Sequence, residues 1–149
     1  MKKLVLAFAA ILTLAAPAAF AASEHGGHGS HGSAAHEEVI DGVKATFTVQ
    51  TMKEAMKAMG MEMPKGVKET HHISVGFKDV KSGKQLSEGE VKIKVQTPDK
   101  QEMTKDMVGM QGHFGADFEM GKKGKYGVMS KFKLKDGKVR QAKFWFTVK

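Results

Sequence analysis

From Val43 the chain alternates, with Val43, Ala45, Phe47 and Val49 on one side and Lys44, Thr46 and Thr48 on the other. A period of two suits a strand with one buried and one wetted face and cannot line a helix. The alternation returns along the chain. His71, Ile73, Val75 and Phe77 interleave with His72, Ser74 and Lys78, and Val91, Ile93 and Val95 with Lys92 and Lys94. Phe114 to Met120 forms another run, followed by Tyr126 to Leu134 with Lys131 and Lys133 in the polar phase, and a last strand carries Phe144, Phe146 and Val148. Turn chemistry separates them: Lys81-Ser82-Gly83-Lys84, Pro98-Asp99, a hairpin loop over Gly121 to Gly124, and Asp136-Gly137. Roughly six or seven short strands at this spacing predict an all-β fold, an antiparallel immunoglobulin-like β-sandwich.

One segment breaks the alternation. Thr51-Met52-Lys53-Glu54 has the capping-box pattern and Gly60 is a stop, so a short helix over Met52 to Met59 is expected, the alternative being an irregular Met-rich insertion. Met52, Met56, Met59 and Met63 would line one helical face, although Gly60 and Pro64 take Met63 out of it, and Met61 lies off that stripe.

Upstream of the sandwich the composition changes twice. Met1-Lys2-Lys3, an apolar run to Leu14 and Ala19-Phe20-Ala21 read as a secretory signal peptide over residues 1–21. The exported chain is then expected to start at Ala22, with no membrane span and no Cys for a lipid anchor. Residues 22–38 are Gly, Ser, Ala, His and Glu, which predicts a disordered tail ahead of a folded domain over 39–149. Within that tail His25, His28 and His31 recur every third residue on glycine and serine spacers. Such a tail lets the imidazoles converge on Cu(II) or another divalent ion.

The chain has 11 Met and no Cys, and beyond the leader only Leu86 and Leu134 are leucines. Ordering a methionine costs more side-chain entropy than ordering a branched aliphatic, so the excess asks for a reason beyond packing. The thioether is a soft ligand that selects Cu(I) and its congeners. Met103, Met107, Met110 and His113 fall within eleven residues, with Gly109 and Gly112 lending freedom to wrap one ion. A second cluster is Met56, Met59, Met61 and Met63. For both clusters the competing reading is core packing, and for the second also an adaptable docking face. His71 and His72 are consecutive in a strand and so point to opposite faces. They cannot chelate one ion together, but one of them can join a methionine cluster, while a hydrogen-bonded core-rim histidine is the alternative for His71.

The stretch from about Thr70 to Lys149 resembles the YtkA-like and FixH-like family of exported immunoglobulin-like domains. The match is carried by His71-His72-Ile73-Ser74-Val75, Ser82-Gly83-Lys84 before Val91 to Val95, the Met-containing linker after Pro98, Gly124-Lys125-Tyr126, and the closing strand with Trp145. In the family the Met motif is compact, whereas here it is spread over Met103 to Met110. Copper-binding sandwiches of the CopC type are similar in general plan.

No Cys nucleophile, Gly-x-Ser-x-Gly, phosphate loop or His-Glu-x-x-His occurs, so no enzyme is expected. The +6 charge of the chain beyond the leader is spread over strands as exposed lysines, and with export it argues against a nucleic-acid partner. The function expected is an exported copper or silver binder, most simply in the bacterial periplasm, that buffers the metal or hands it to an envelope efflux or oxidase-assembly protein. The rival is a non-enzymatic accessory domain of an envelope complex, with methionines for packing or docking.

Overall fold

The computed structural model describes residues 34–149. The leader and His25, His28 and His31 lie outside the described residues. The chain runs β1 (Ala34–Ile40), β2 (Val43–Thr51), α1 (Met52–Ala58), β3 (His71–Asp79), β4 (Gln85–Leu86), β5 (Gly89–Gln96), β6 (Glu102–Asp106), β7 (Val108–Met110), β8 (His113–Phe118), β9 (Gly124–Leu134) and β10 (Val139–Val148). Two antiparallel sheets form, one ordered β1-β2-β3-β8-β7 with β4 beside β3, the other β10-β9-β5-β6. The all-β sandwich expected from the alternation is the fold observed. It has more strands than expected, because β1, β4, β6 and β7 have sequences that do not alternate in a clear apolar phase.

The apolar phase of every long strand faces inward. Phe47, Ile73, Val75, Phe77, Ile93, Val95, Phe118, Tyr126, Val128 and Phe132 are buried between the sheets. Phe77 bridges the layers, with its ring centroid 4.4 Å from that of Phe132 and 5.8 Å from that of Phe114. Met52, Met107 and Met120 are also buried, so part of the methionine excess is ordinary core.

The helix forms as its capping box predicts. The Glu54 amide donates to Thr51 Oγ1 at 3.2 Å, and the Thr51 amide donates to Glu54 Oε2 at 3.0 Å.

Three expectations need correction. Residues 34–38, assigned to the disordered tail, belong to β1, which pairs antiparallel with β2 from Ala34 to Ile40 with a bulge between Ala34 and His36. His36, Glu38 and Ile40 sit opposite the inward residues Phe47, Ala45 and Val43, and the His36 ring stacks on Phe144 at 5.0 Å and 11°. An aromatic partner from the other sheet thus anchors a segment that carries no large apolar side chain before Val39. The turn over Gly121 to Gly124 is no hairpin: β8 and β9 lie in different sheets, so the segment carries the chain across the sandwich. The stretch Met103 to Met110 is not a free linker either, being β6 in one sheet and β7 in the other.

Arg140 ties the sheets together at one end. It is 3% exposed and donates to Ile40 O at 3.1 Å, to Asp41 O at 3.0 Å, and through both Nη atoms to the Asp136 carboxylate at 3.1 and 2.7 Å. The guanidinium holds the Asp136 pKa down at about 2, with the Lys138 amide assisting. A carboxyl lowered on folding stabilises the native state above its unfolded value of about 4 and loses that contribution as the pH falls towards 2. Asp136→Asn is therefore expected to unfold at lower urea than the parent chain at pH 5 and above. That gap should narrow steadily between about pH 4 and 2, followed by urea midpoints across that range.

Candidate metal site

Strand alternation sends the second residue of each inward pair to the outer surface of the six-stranded sheet. With Ile73, Phe114 and Phe118 buried, His72 on β3 and His113, Gly115 and Asp117 on β8 fall on that outer face. The register fixes their neighbours. His72 is the Cα partner of Asp117 and of Gln50, Ser74 is that of Gly115, and Met110 on β7 is that of His113.

His72 Nδ1 donates to Asp117 Oδ1 at 2.6 Å. The carboxylate engages Nδ1 and leaves Nε2 as the ring nitrogen turned away from it, and a carboxylate behind an imidazole is the usual support of a metal-ligating histidine. Nε2 points over Gly115. A β-carbon built on Gly115 would lie 2.8 Å from His72 Nε2, 2.7 Å from its Cε1 and 3.1 Å from the Met110 methyl. An imidazole from one neighbouring strand and a thioether from the other therefore lean over the same glycine, and the missing side chain is the space they share. His113 flanks Met110 as its cross-strand partner, where β-carbons stand about 5 Å apart. His72 is mostly buried, whereas Met110 remains 37% exposed, so the place is reached from solvent.

The residues named from the sequence divide by face. Met110 and His113 are brought together, and His72 joins them. Met103 does not: it pairs with inward-facing Val95 on β6 in the other sheet and packs at the core edge. Met107 is 7% exposed within the core, its amide donating to Val91 O at 2.8 Å. One ion wrapped by Met103, Met107, Met110 and His113 is thus not what the fold builds, because the chain changes sheets between them. Met56 is half-buried on α1, while Met59, Met61 and Met63 lie beyond it with exposures of 62, 53 and 41%, three thioethers offered to solvent.

His71 takes the other face, as the alternation requires. Its Nδ1 shares a 2.7 Å hydrogen bond with Thr70 Oγ1, its ring stands edge-on to Phe146 at 6.4 Å, and burial pushes its pKa down against a smaller upward pull from Glu54. It is a rim-of-core histidine. Among the described residues no three His, Asp or Glu side chains converge as a metal group, and the convergence over Gly115 is completed by a thioether instead.

Asp117 and Gly115 were not singled out from the sequence. The pattern His113-x-Gly115-x-Asp117 does place all three on one strand face, and that was the available signal.

No protein-family model matches the chain, and no curated protein matches it. Solved structures do. FetP of uropathogenic Escherichia coli strain F11, expressed recombinantly in the periplasm of E. coli, superposes with a TM-score of 0.58 at 13% identity over 77% of this chain and 93% of its own. A copper-bound variant of the same protein gives 0.59 at 14%, over 76% and 94%. A copper-bound variant of Campylobacter jejuni P19 gives 0.54 at 12%, over 77% and 95%, and a DUF4426-family protein of Pseudomonas aeruginosa PAO1 gives 0.58 at 14%, over 76% and 93%. In fold, the chain is similar to FetP and P19. At these identities the likeness is one of architecture, and the YtkA-like and FixH-like resemblance finds no support in the family comparison.

Gly115→Ala tests the geometry directly. The new methyl would meet the far ends of two side chains rather than backbone, and alanine is favoured over glycine within a strand by about 0.5–1 kcal/mol. Stability is expected to change by less than about 1 kcal/mol. The NMR signals of the Met110 methyl and the His72 ring should shift, while those of core methyls such as Val75 stay in place.

Proposed function

We propose that this chain is an envelope copper-binding protein, and that the ion sits on the outer face of the six-stranded sheet between His72 Nε2 and Met110 Sδ, with His113 as the third donor. The observation that carries the reading is the convergence of imidazole and thioether over Gly115, with Asp117 behind the imidazole. A mixed nitrogen and thioether donor set is soft and favours Cu(I) or Ag(I) over hard cations. Copper-bound forms of FetP and P19, which share the fold, support the choice of metal.

The role is one of binding and transfer rather than catalysis. A site open to solvent at Met110 suits exchange of the ion with a partner, whether an efflux or an oxidase-assembly protein of the cell envelope. The exposed thioethers of Met59, Met61 and Met63 supply an adaptable surface for such a partner. The secretory leader and the His25, His28 and His31 tail belong to the same reading: export to the periplasm, with the tail collecting Cu(II) or another divalent ion.

Competition against a chromophoric Cu(I) chelator tests this, with His25, His28 and His31 replaced by alanine so that the tail does not mask a loss. Met110→Leu keeps volume and folding but removes the sulfur, and His72→Gln removes the imidazole. Each should weaken Cu(I) binding by well over about tenfold, and Asp117→Asn by about 10- to 100-fold. Met103→Leu and Met107→Leu should leave the affinity unchanged. Unaltered affinity in both the Met110 and the His72 variants would overturn the assignment.

A further inference from the structure

The two outer faces of the sandwich differ in chemistry. The face of the four-stranded sheet carries Lys125, Lys131 and Lys133 from β9, Lys143 from β10, and Lys92 and Lys94 from β5, as its inward residues are Tyr126, Val128, Phe132, Phe144, Val91 and Ile93. Lys92 and Lys94 meet acids of the edge strand, Asp106 at 3.5 Å and Glu102 at 3.3 Å. β9 and β10 themselves contribute no outward acid, and the nearest in register is Glu90 of β5, directly opposite Lys133. Lys131 stands directly opposite Lys92 in the sheet, and Lys92 is the one of the two that is paired with an acid, Asp106.

An aromatic ring lies among these lysines. Trp145 is 52% exposed and rests on Gly127, where a β-carbon would come within 3.1 Å of the ring. Lys125 Nζ stands 4.8 Å from the ring centroid and Lys143 Nζ 6.0 Å. Beside it a trough of about 450 Å³ is lined by Lys92, Lys94, Met129, Lys131 and Lys143, with Glu38 at its margin.

We infer that this face docks on an anionic lipid bilayer, the ammonium groups at the headgroup phosphates and Trp145 at the interface. Clusters of four to eight lysines are drawn to anionic membranes, and tryptophan prefers the boundary between headgroups and acyl chains. Protein–protein interfaces are depleted in lysine, which disfavours a protein partner here. The face has no arginine for bidentate recognition of a nucleic acid, since the chain's single arginine is the buried Arg140. Docking of this kind is independent of the metal reading and compatible with it. The His72–Met110 site is on the opposite surface, so a chain lying on lipid by its lysine face holds that site towards the aqueous side.

Trp145 is the only tryptophan, so its emission reports this surface alone. Protein recovered from the periplasm after removal of the leader is titrated with vesicles of phosphatidylcholine containing phosphatidylglycerol, and with phosphatidylcholine alone. Binding to the anionic vesicles is expected, with a blue shift of Trp145 emission and quenching by brominated lipid, both lost in 0.5 M salt. Lys131→Gln, Lys133→Gln and Lys143→Gln combined should weaken binding about a hundredfold, at about fivefold per lysine, with the far-ultraviolet spectrum unchanged. Equal binding to neutral vesicles, binding without a change at Trp145, binding unaffected by the triple variant, or binding only to an acidic peptide or to DNA at the same salt would each overturn the inference.

Discussion

The buried crossing at Met107 is the constraint on which the candidate site depends. Its amide completes the ladder between β5 and β6 by donating to Val91, and the next residue, Val108, already pairs with Gly115 in the opposite sheet. Backbone groups in a dry interior must be hydrogen-bonded, so the change of sheet is confined to a residue that can satisfy one ladder while its side chain fills the core. Three residues later Met110 is delivered to the outer face beside His113. If the chain crossed two residues earlier or later, Val108 or Gly112 would take that place and no thioether would reach it.

Histidine and methionine chemistry here is governed by the face on which each side chain lies. His71 and His72 are neighbours in sequence, yet one is desolvated against Phe146 and bonded to Thr70 while the other is held by a carboxylate and presents Nε2 to the surface. The methionines divide in the same way: Met107 and Met120 pack like any large apolar residue, Met110 reaches over a glycine, and Met59, Met61 and Met63 face water. A flexible, weakly polar side chain serves all three environments at little cost, and composition alone therefore cannot say which it serves.

The sandwich separates two surfaces that do not interfere. Arg140 closes one end by joining the β1–β2 turn to the β9–β10 turn, with all three nitrogens of a buried guanidinium bonded to carbonyls and a carboxylate. With the sheets locked in this way, the histidine–methionine face and the lysine–tryptophan face point in opposite directions, about one sheet-to-sheet spacing of 10 Å apart plus their side chains.

Much of this was legible before the structure. A period of two along Val43–Val49, His71–Phe77, Val91–Val95 and Tyr126–Leu134 determined the strands, their buried faces and hence the sandwich, because burial of one face is a local consequence of alternation. The capping box determined α1, and alternation also determined that His71 and His72 must part. The tertiary structure decided which strands become neighbours, and with that the site. His72 and Asp117 are 45 residues apart in the chain, and they meet only because β3 and β8 pair. The sequence spacing of Met103, Met107 and Met110 suggested one cluster, but a chain that crosses between sheets leaves the first two at the core and delivers only Met110 to an outer face. Spacing along the chain measures distance within a strand or a loop, whereas a site assembled across strands is set by hydrogen-bond register, which is a property of the whole fold.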